Sequence, residues 1–206
     1  SRKLKEEFLR PAIKGEYVGA IAVSEHTGGS DVASIKSFAK KNGDDYIING
    51  QKMWITNATQ ADFFCTLVNT SNDLPHKNKS LIIIPSNTPG VKIGEKIDKL
   101  GLRSSDTAPV YFDDVRVPQK YRIGLEGEGF KMQMQQFQEE RIFLSASSLV
   151  MLDDCVKQTI SYCKDRNAFG KKVIENQAIQ FNLAELQTEI ESLRSLIYRA
   201  CEEFIE

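Results

Sequence analysis

The sequence contains few residues of the kinds that build metal centres or disulfide frameworks. Its two histidines, His26 and His76, lie far apart, and its four cysteines follow neither a Cys-x-x-Cys nor a His-Glu-x-x-His spacing. Metal sites and disulfide scaffolds need such clustered ligands or paired cysteines. We therefore expect no metal site, and we expect free, buried thiols in a reducing compartment. The cysteines are Cys65, Cys155, Cys163 and Cys201.

A strong charge of either sign is also missing, as is any long apolar run. The 27 basic and 28 acidic residues give a formal net charge of −1, and 41% of the 206 residues are hydrophobic. Nucleic-acid surfaces need a basic excess, and a membrane-spanning helix needs about 20 consecutive apolar residues. The composition predicts a globular chain whose partners are small molecules or proteins, with no nucleic acid and no membrane span. There is no initiator methionine and no signal-like segment, so we expect a piece of a longer protein whose targeting segment is out of view.

Tryptophan occurs once, in the stretch Met53-Trp54-Ile55-Thr56. Aromatic and β-branched residues favour a strand, in which Trp54 and Thr56 would share one face and Ile55 would take the other. Such a face offers an aromatic wall beside a hydroxyl. A strand with a buried indole and a satisfied threonine is the alternative interpretation of these residues alone.

An apolar segment, Ala20 to Val23, runs into a loop that contains Gly28 and Gly29. Glycines let backbone N–H groups approach an anion, and hydroxyl side chains add further donors, which suits a phosphate group. The hydroxyl residues of the loop are Ser24, Thr27 and Ser30. The loop has neither the G-x-G-x-x-G pattern nor a P-loop lysine, so an ordinary turn is the alternative.

Between Tyr17 and Pro118 the sequence alternates short β-like segments with turn-forming clusters. The segments are Tyr46–Ile48, Lys52–Thr56, Phe63–Val68, Ser80–Ile84, Val91–Ile93 and Pro109–Phe112. Because no helical pattern lies between them, they predict an antiparallel barrel or sandwich. A short helical segment, Lys3 to Leu9, precedes the strands, and Pro11 and Gly15 should stop it.

After Gly124 the apolar residues recur at threes and fours, which predicts two long helices. The first should end near Asp165, and the short link Arg166 to Val173 should return the second beside it as an antiparallel pair. The two stripes are Phe130, Met134, Phe137, Leu144, Leu149, Leu152, Val156 and Ile160, then Ile179, Leu183, Leu186, Ile190, Leu193, Ile197 and Phe204. Two helices cannot enclose a core, so we expect an incomplete four-helix bundle completed from outside this chain.

Two charged residues, Glu140 and Arg141, interrupt the first stripe. With Phe137 at zero and 100° per residue, Glu140 falls at about −60°, Arg141 at about 40° and Glu139 at about 200°. Glu140 and Arg141 thus point toward the buried side, and Glu139 points away. A charge on a buried face must be paired, hydrated or functional, so a structural ion pair is the alternative to a functional role.

Several ordered motifs, taken together, resemble the acyl-CoA dehydrogenase family over essentially the whole chain. They are Ile21 to Val32, Met53 to Asn57, Leu100 to Thr107, Phe112 to Pro118, Gly127 to Phe130, Glu140-Arg141 and Arg166 to Lys171. The resemblance implies a multi-domain α+β fragment. Residues 1–15 would end an N-terminal helical domain, residues 16–123 would form the middle β-domain, and residues 124–206 would form the first two helices of the C-terminal bundle.

The resemblance also implies FAD-dependent α,β-dehydrogenation of an acyl-CoA thioester, in fatty acid β-oxidation or branched-chain acyl-CoA catabolism. In that chemistry a carboxylate removes the α-proton while the flavin N5 takes the β-hydride from the other side of the substrate. Many members supply the base late in the C-terminal bundle. In the long-chain and isovaleryl types it is the glutamate before the helix arginine, and Glu140-Arg141 matches that variant.

Site residues follow from the same resemblance. Thr56 would lie near the flavin N5, Trp54 beside the ring, and Ser30 at the pyrophosphate or the CoA arm, while Arg166, Phe169 and Gln177 would touch an FAD held mainly by a neighbouring subunit. The implied cofactor-binding set is Ile21, Ala22, Val23, Ser24, Gly29, Ser30, Trp54, Ile55, Thr56, Arg166, Phe169 and Gln177. The implied substrate-binding set is Ser30, Gln138, Glu139, Glu140 and Arg141.

One stretch departs from the family pattern: the family commonly has Thr-Glu-Pro-Gly-Ala-Gly-Ser where this chain has Ser24-Glu25-His26-Thr27-Gly28-Gly29-Ser30.

The partners that the resemblance implies are acyl-CoA, electron-transfer flavoprotein and further copies of the chain, in a dimer or tetramer. The implied location is the mitochondrial matrix of a eukaryote or the cytoplasm of a bacterium. A flavin monooxygenase, an acyl-CoA oxidase and a truncated, non-catalytic member of the family are the alternatives.

Overall fold

The computed structural model describes residues 1–205. It divides into two compact units, the first formed by Ser1–Met134 and the second beginning at Gln135. Each unit has its own buried apolar cluster. Within the described residues, no helix combines the length and the apolar character needed to cross a membrane.

The first unit begins with a short helical segment. It comprises α1 (Arg2–Leu4), a π-helical turn (Lys5–Leu9) and α2 (Arg10–Ile13). Leu4 and Phe8 are buried, and the Phe8 ring meets the Phe63 ring edge-on with centroids 5.3 Å apart. Contrary to the prediction, the helix continues through Pro11, because Pro11 occupies the first turn of α2, where proline is tolerated. The predicted stop at Gly15 is confirmed, since the helix ends just before Gly15, whose φ of +75° takes the chain out of the helix.

Eight strands then form one sheet. They are β1 (Gly19–Ala22), β2 (Phe38–Asn42), β3 (Asp45–Thr56), β4 (Phe63–Asn69), β5 (Lys79–Pro85), β6 (Val91–Ile93), β7 (Thr107–Pro118) and β8 (Arg122–Ile123). The strand order is β6-β7-β3-β2-β4-β5-β8, and β1 pairs with β4 outside this path. The predicted α+β class is confirmed. The described strands do not close into a barrel, however, because β6 and β8 lie at the two ends of the path and do not pair with each other.

The pairing is mixed rather than purely antiparallel. β1 runs parallel to β4, and β2 meets β4 through the single parallel pair Phe38 and Asn69. The two predicted segments Tyr46–Ile48 and Lys52–Thr56 are parts of the one strand β3. The strand β2 was not predicted, because Lys40 and Lys41 break the alternation of apolar and polar residues on which a strand prediction depends.

Gly50 lets β3 continue past Ser37. Its φ is +145°, and a Cβ on Gly50 would lie 2.7 Å from the Ser37 Cα, so no other residue fits without moving the backbone. On the partner strand β7, Asp114 has a φ of +49° where the register shifts. Asn49 closes this bulge, since its Nδ2 donates to Asp114 Oδ1 and its Oδ1 accepts from the Asp114 N–H, both at 2.9 Å.

The second unit is a helix pair. α3 (Gly129–Asp165) begins in the first unit and continues through the second, a hairpin of β9 (Asn167–Ala168) and β10 (Lys171–Lys172) follows, and α4 (Gln177–Ile205) returns. Both long helices and their short link were predicted. The shared core is formed by Leu149, Val156, Leu183, Ile190 and Ile197. Arg194 Nη2 also donates to Asp153 Oδ2 at 2.7 Å, which ties the two helices together.

The apolar stripes are only partly used within the described residues. Leu144 is 62% exposed and Leu186 47% exposed, although both were assigned to the buried faces. Cysteine burial was also overestimated: all four cysteines are free, but only Cys163 is buried, and Cys155 is exposed.

Candidate functional site

Trp54 stands on a bulge in β3. Lys52 pairs with Val110 and Ile55 with Ala108, so β3 carries one extra residue at this point. Trp54 adopts a φ of +65°, which is a steric outlier for a bulky residue, and such conformations cost about 1–3 kcal/mol. Its indole is 57% exposed, Thr56 is exposed and Ile55 is buried. The faces match the prediction, but the indole is not buried and the bulge was not foreseen.

The hydroxyl-rich loop lies directly against this bulge. The Met53 N–H donates to the Ser24 carbonyl at 2.8 Å, so the end of β1 and the Trp54 stretch are neighbours. A tight turn opens the loop, because Glu25 N–H donates to the Gly28 carbonyl at 2.7 Å. Gly29 and Ser30 are exposed beyond it. The structure thus brings together the two stretches that the sequence singled out separately.

A buried ion pair lies beneath both stretches and was missed by sequence reasoning. The Lys52 ammonium donates to Glu25 Oε1 and to the Val23 carbonyl, each at 2.9 Å, and the Lys52 side chain is 0% exposed. Glu25 also accepts the N–H groups of Lys36 at 2.7 Å and Ser37 at 2.9 Å. The pair therefore joins three segments of the first unit around the Trp54 bulge.

Burial and charge act in opposite directions on the pair. Burial lowers the pKa of Lys52 to about 8, although Glu25 opposes the change. Burial alone would raise the pKa of Glu25, but the Lys52 cation and the two backbone donors hold it below its ordinary value. A signal for this pair was present in the sequence, because Lys52 falls in step with the inward-facing Tyr46 and Ile48 of the same strand.

A second buried lysine holds the far part of the loop. Lys79 Nζ donates to the Ala33 carbonyl at 2.8 Å, to the Pro75 carbonyl at 2.8 Å and to Asn78 Oδ1 at 2.9 Å. Burial lowers the pKa of Lys79, while the charges of Asp31 and Glu25 oppose the change. The loop is thus anchored from inside the unit at two points.

Asp106 fixes the turn that follows Thr56. Its Oδ2 accepts from the Thr59 N–H and the Thr59 hydroxyl, and its Oδ1 accepts from Gln60 Nε2, all at 2.8 Å. Burial opposes ionisation, but these donors lower the pKa of Asp106 overall. The motif from Leu100 to Thr107 therefore contributes a carboxylate that sets the chain direction just beyond the exposed threonine.

In the second unit, α3 presents Glu139 and Glu140 differently. Glu140 is half-buried and accepts a hydrogen bond from Gln136 Nε2, one turn earlier, whereas Glu139 is exposed. This agrees with the predicted helical wheel. Arg141 is exposed, and its guanidinium lies 5.9 Å from the centre of the Phe137 ring, so it was wrongly placed on the buried face. Gln138 is exposed as well.

The hairpin of the second unit exposes an aromatic ring on a tight turn. Phe169 and Gly170 connect β9 to β10 with φ values of +51° and +78°, and Phe169 is fully exposed at 104%. Arg166 and Gln177, on either side of the hairpin, are exposed too. At 1.5 Å per residue, Glu140 lies roughly 37 Å along α3 from Asp165, where the helix ends and the hairpin follows. Glu140 and the hairpin are therefore far apart in one chain.

Two family models match the chain. The model described as acyl-CoA dehydrogenase, middle domain, matches residues 20–115, and that of the acyl-CoA dehydrogenase C-terminal domain matches residues 127–205. The mouse mitochondrial short-chain specific acyl-CoA dehydrogenase is 36% identical over 97% of this chain and 48% of its own length. A rice mitochondrial isovaleryl-CoA dehydrogenase is 37% identical over 96% of this chain and 48% of its own length. The chain spans about half the length of these relatives.

Solved structures agree with the sequence relatives. An acyl-CoA dehydrogenase from Geobacillus kaustophilus superimposes with a TM-score of 0.94 at 39% identity, over 98% of this chain and 54% of that one. Both family models, the relatives and the fold agree, and the chain belongs to the acyl-CoA dehydrogenase family.

Proposed function

We propose that the protein of which this chain is part is an FAD-dependent dehydrogenase of acyl-CoA thioesters. The observation that carries the proposal is the exposed Trp54, held in an unfavourable backbone conformation beside the Thr56 hydroxyl and the Ser24 loop. Strained, exposed aromatic residues on a rigid support are typical of ligand sites. The chain would contribute the middle domain at residues 16–123 and the start of the helical bundle at residues 124–206, after the end of an N-terminal domain at residues 1–15.

The residues of the first unit suit an FAD molecule. Ile21 is 44% exposed and Trp54 57% exposed, and together with the Thr56 hydroxyl they offer an apolar wall with a polar edge to a flavin ring. Gly29 and Ser30 offer exposed donors for a phosphate group. The side chains of Ala22, Val23 and Ile55 are buried, so these three residues would contribute only backbone groups. Bound FAD would supply the hydride acceptor of the reaction.

The proposed base is Glu140. Its carboxylate is half-buried and oriented by Gln136, while Glu139, about 100° away around α3, is exposed. A base that removes an α-proton needs a fixed carboxylate with limited access to water. Ser30, Gln138, Glu139 and Arg141 complete the proposed substrate-binding set. Among these, the exposed Gln138, Glu139 and Arg141 would contact the outer part of the substrate.

The hairpin would serve a second copy of the chain. Phe169 is fully exposed on a two-residue turn, and Arg166 and Gln177 flank it. Because this hairpin lies far from Glu140 along α3, it is better placed to touch an FAD held by another subunit than one at its own Glu140. We therefore propose a homo-oligomer, a dimer or a tetramer, in which Arg166 gives its cation to the diphosphate.

The substrate class follows from the relatives. Their names include short-chain and isovaleryl-CoA dehydrogenases, so we propose a short or branched acyl-CoA as substrate and electron-transfer flavoprotein as the electron acceptor. The proposed compartment is the mitochondrial matrix of a eukaryote or the bacterial cytoplasm, since the relatives include a mouse protein named as mitochondrial and a protein of Bacillus subtilis.

The test uses the full-length protein. Anaerobic stopped-flow mixing of the FAD-loaded protein with butyryl-CoA or isovaleryl-CoA should bleach the flavin absorbance, and electron-transfer flavoprotein should restore it faster than air. Faster restoration by oxygen would identify an oxidase or monooxygenase. A purified protein that carries no flavin and takes up none would be a non-catalytic member of the family.

A further inference from the structure

The peptide group between Val23 and Ser24 is hydrogen-bonded on one side only. Its carbonyl oxygen accepts from the Lys52 ammonium at 2.9 Å. Among the hydrogen bonds of residues 1–205, none uses the Ser24 N–H. The C=O and N–H of a trans peptide point in opposite directions, so the Ser24 N–H points away from the buried ammonium.

The charge of Lys52 acts on this peptide out of contact with solvent. The Lys52 side chain is 0% exposed, and hydrogen bonds in such surroundings polarise one another more strongly than in water. Glu25 touches the ammonium but shares its negative charge with the N–H groups of Lys36 and Ser37. The positive end of the ion pair therefore faces the Val23 oxygen, which makes the Ser24 N–H a stronger donor.

The unused donor lies beside the proposed flavin wall. The carbonyl of Ser24 accepts from the Met53 N–H at 2.8 Å, and Met53 is the residue before the exposed Trp54. Ser24 itself is half-buried, at the edge between the core and the surface. A ligand ring packed against Trp54 would meet this edge of the loop.

We propose that Lys52 is a positioning residue that polarises the Ser24 N–H toward an electron-rich oxygen of the flavin ring, and so favours the reduced ring, which carries more negative charge. This inference rests on the proposed FAD site. Lys52 itself does not touch the ligand. Its role differs from that of Lys79, which is also buried but donates to the carbonyls of Ala33 and Pro75 and not to that of Val23.

The experiment compares the affinity of full-length protein for oxidised and reduced FAD. The variants are Lys52→Met and the uncharged pair Glu25→Gln with Lys52→Met, which leaves no unpaired buried charge. In both we expect reduced FAD to lose about tenfold more affinity than oxidised FAD, which lowers the two-electron midpoint potential by about 30 mV. Lys79→Met is the matched control: it removes a buried lysine of the same kind and should leave the ratio of the two affinities near that of the wild type.

A purely structural role for Lys52 would weaken both redox forms equally. An unchanged ratio in the double variant would therefore overturn the inference even where Lys52→Met alone fails to fold. A shift of the same size in Lys79→Met would overturn it as well, because the effect would then belong to any buried cation. Wild-type protein that binds no FAD in either form would overturn the proposed function itself.

Discussion

The two units of this chain differ in how much of their own structure they supply. The first unit builds its site from inside, with Glu25, Lys52, Lys79 and Asp106 each bonded to backbone groups of the loops that they fix. The second unit leaves large apolar side chains exposed along both helices, including Phe143 at 69% and Leu196 at 66%. The geometry of the Trp54 stretch is therefore set within the sheet unit itself, whereas the helices leave much of their apolar surface uncovered within the described residues.

The largest expected effect tests the chemistry of the helical unit. Glu140→Gln should keep FAD and bind acyl-CoA but reduce the flavin on the order of 10²-fold more slowly or worse, since positioned general bases contribute about 10² to 10⁴. Glu139→Gln, one residue earlier on the exposed side, should keep a near-normal rate of flavin reduction at saturating substrate, because a residue at the outer part of the substrate contributes to binding and not to proton removal. Anaerobic stopped-flow traces of both variants provide the measurement. Near-normal reduction in Glu140→Gln would assign the base to another part of the protein.

The next prediction probes the rigidity of the sheet unit. Gly50→Ala places a Cβ 2.3 Å from Ser37 Oγ at a φ that alanine disfavours, so we expect a loss of about 3 kcal/mol in unfolding free energy. Gly101→Ala is the control, because nothing lies within 4 Å of its added Cβ. Thermal melts of both proteins would show the difference. Equal melting temperatures would mean that the β3 backbone at Gly50 shifts to accommodate the added Cβ, which would contradict a rigid sheet unit.

A smaller effect is expected at the hairpin, which we propose meets another copy of the chain. Arg166→Ala should weaken FAD binding about tenfold or more, because hydrogen bonds to charged groups contribute about 1.5–3 kcal/mol. Arg199→Ala, an exposed arginine of α4 paired with Glu203, should leave FAD affinity unchanged. Flavin fluorescence titrations, with size-exclusion chromatography to follow assembly, would separate the two. Wild-type affinity in Arg166→Ala would remove the intersubunit assignment.

The smallest effect concerns pH. Because the pKa of Lys52 is lowered to about 8 in the folded protein, the unfolded chain binds more protons above pH 8, and stability should rise with pH by up to about 1.4 kcal/mol per unit. The window from pH 8 to 9 is the clearest, since burial raises the pKa of Cys65 to about 11 and its proton opposes the trend at higher pH. Urea titrations should show the rise in the wild type and its loss in Lys52→Met, while Lys3→Met keeps it. A flat profile in the wild type would contradict a buried, protonated Lys52.

The sequence predicted the elements better than their contacts. The helices α3 and α4, the alternation of Thr56 and Ile55, and the inward turn of Glu140 follow from local periodicity, which neighbouring residues carry. The bulge at Trp54 could not be predicted, because it exists only relative to the register of β7. The hydrogen bonds of Asp106 could not be predicted either, since its partners Thr59 and Gln60 lie more than forty residues earlier in the sequence. Lys52 could have been found by extending the inward alternation of Tyr46 and Ile48 across Gly50.

The burial of Lys52 has a consequence if the proposed thioester substrate binds beside it. Acyl-CoA is an acylating agent, and an amine whose pKa is near 8 is a better nucleophile at neutral pH than an ordinary lysine. Lys52 is sealed inside the first unit, with its ammonium held by Glu25 and the Val23 carbonyl. A lysine whose pKa is lowered to about 8 thus lies beside the site where a thioester cannot reach it, which protects the chain against acylation by its own proposed substrate.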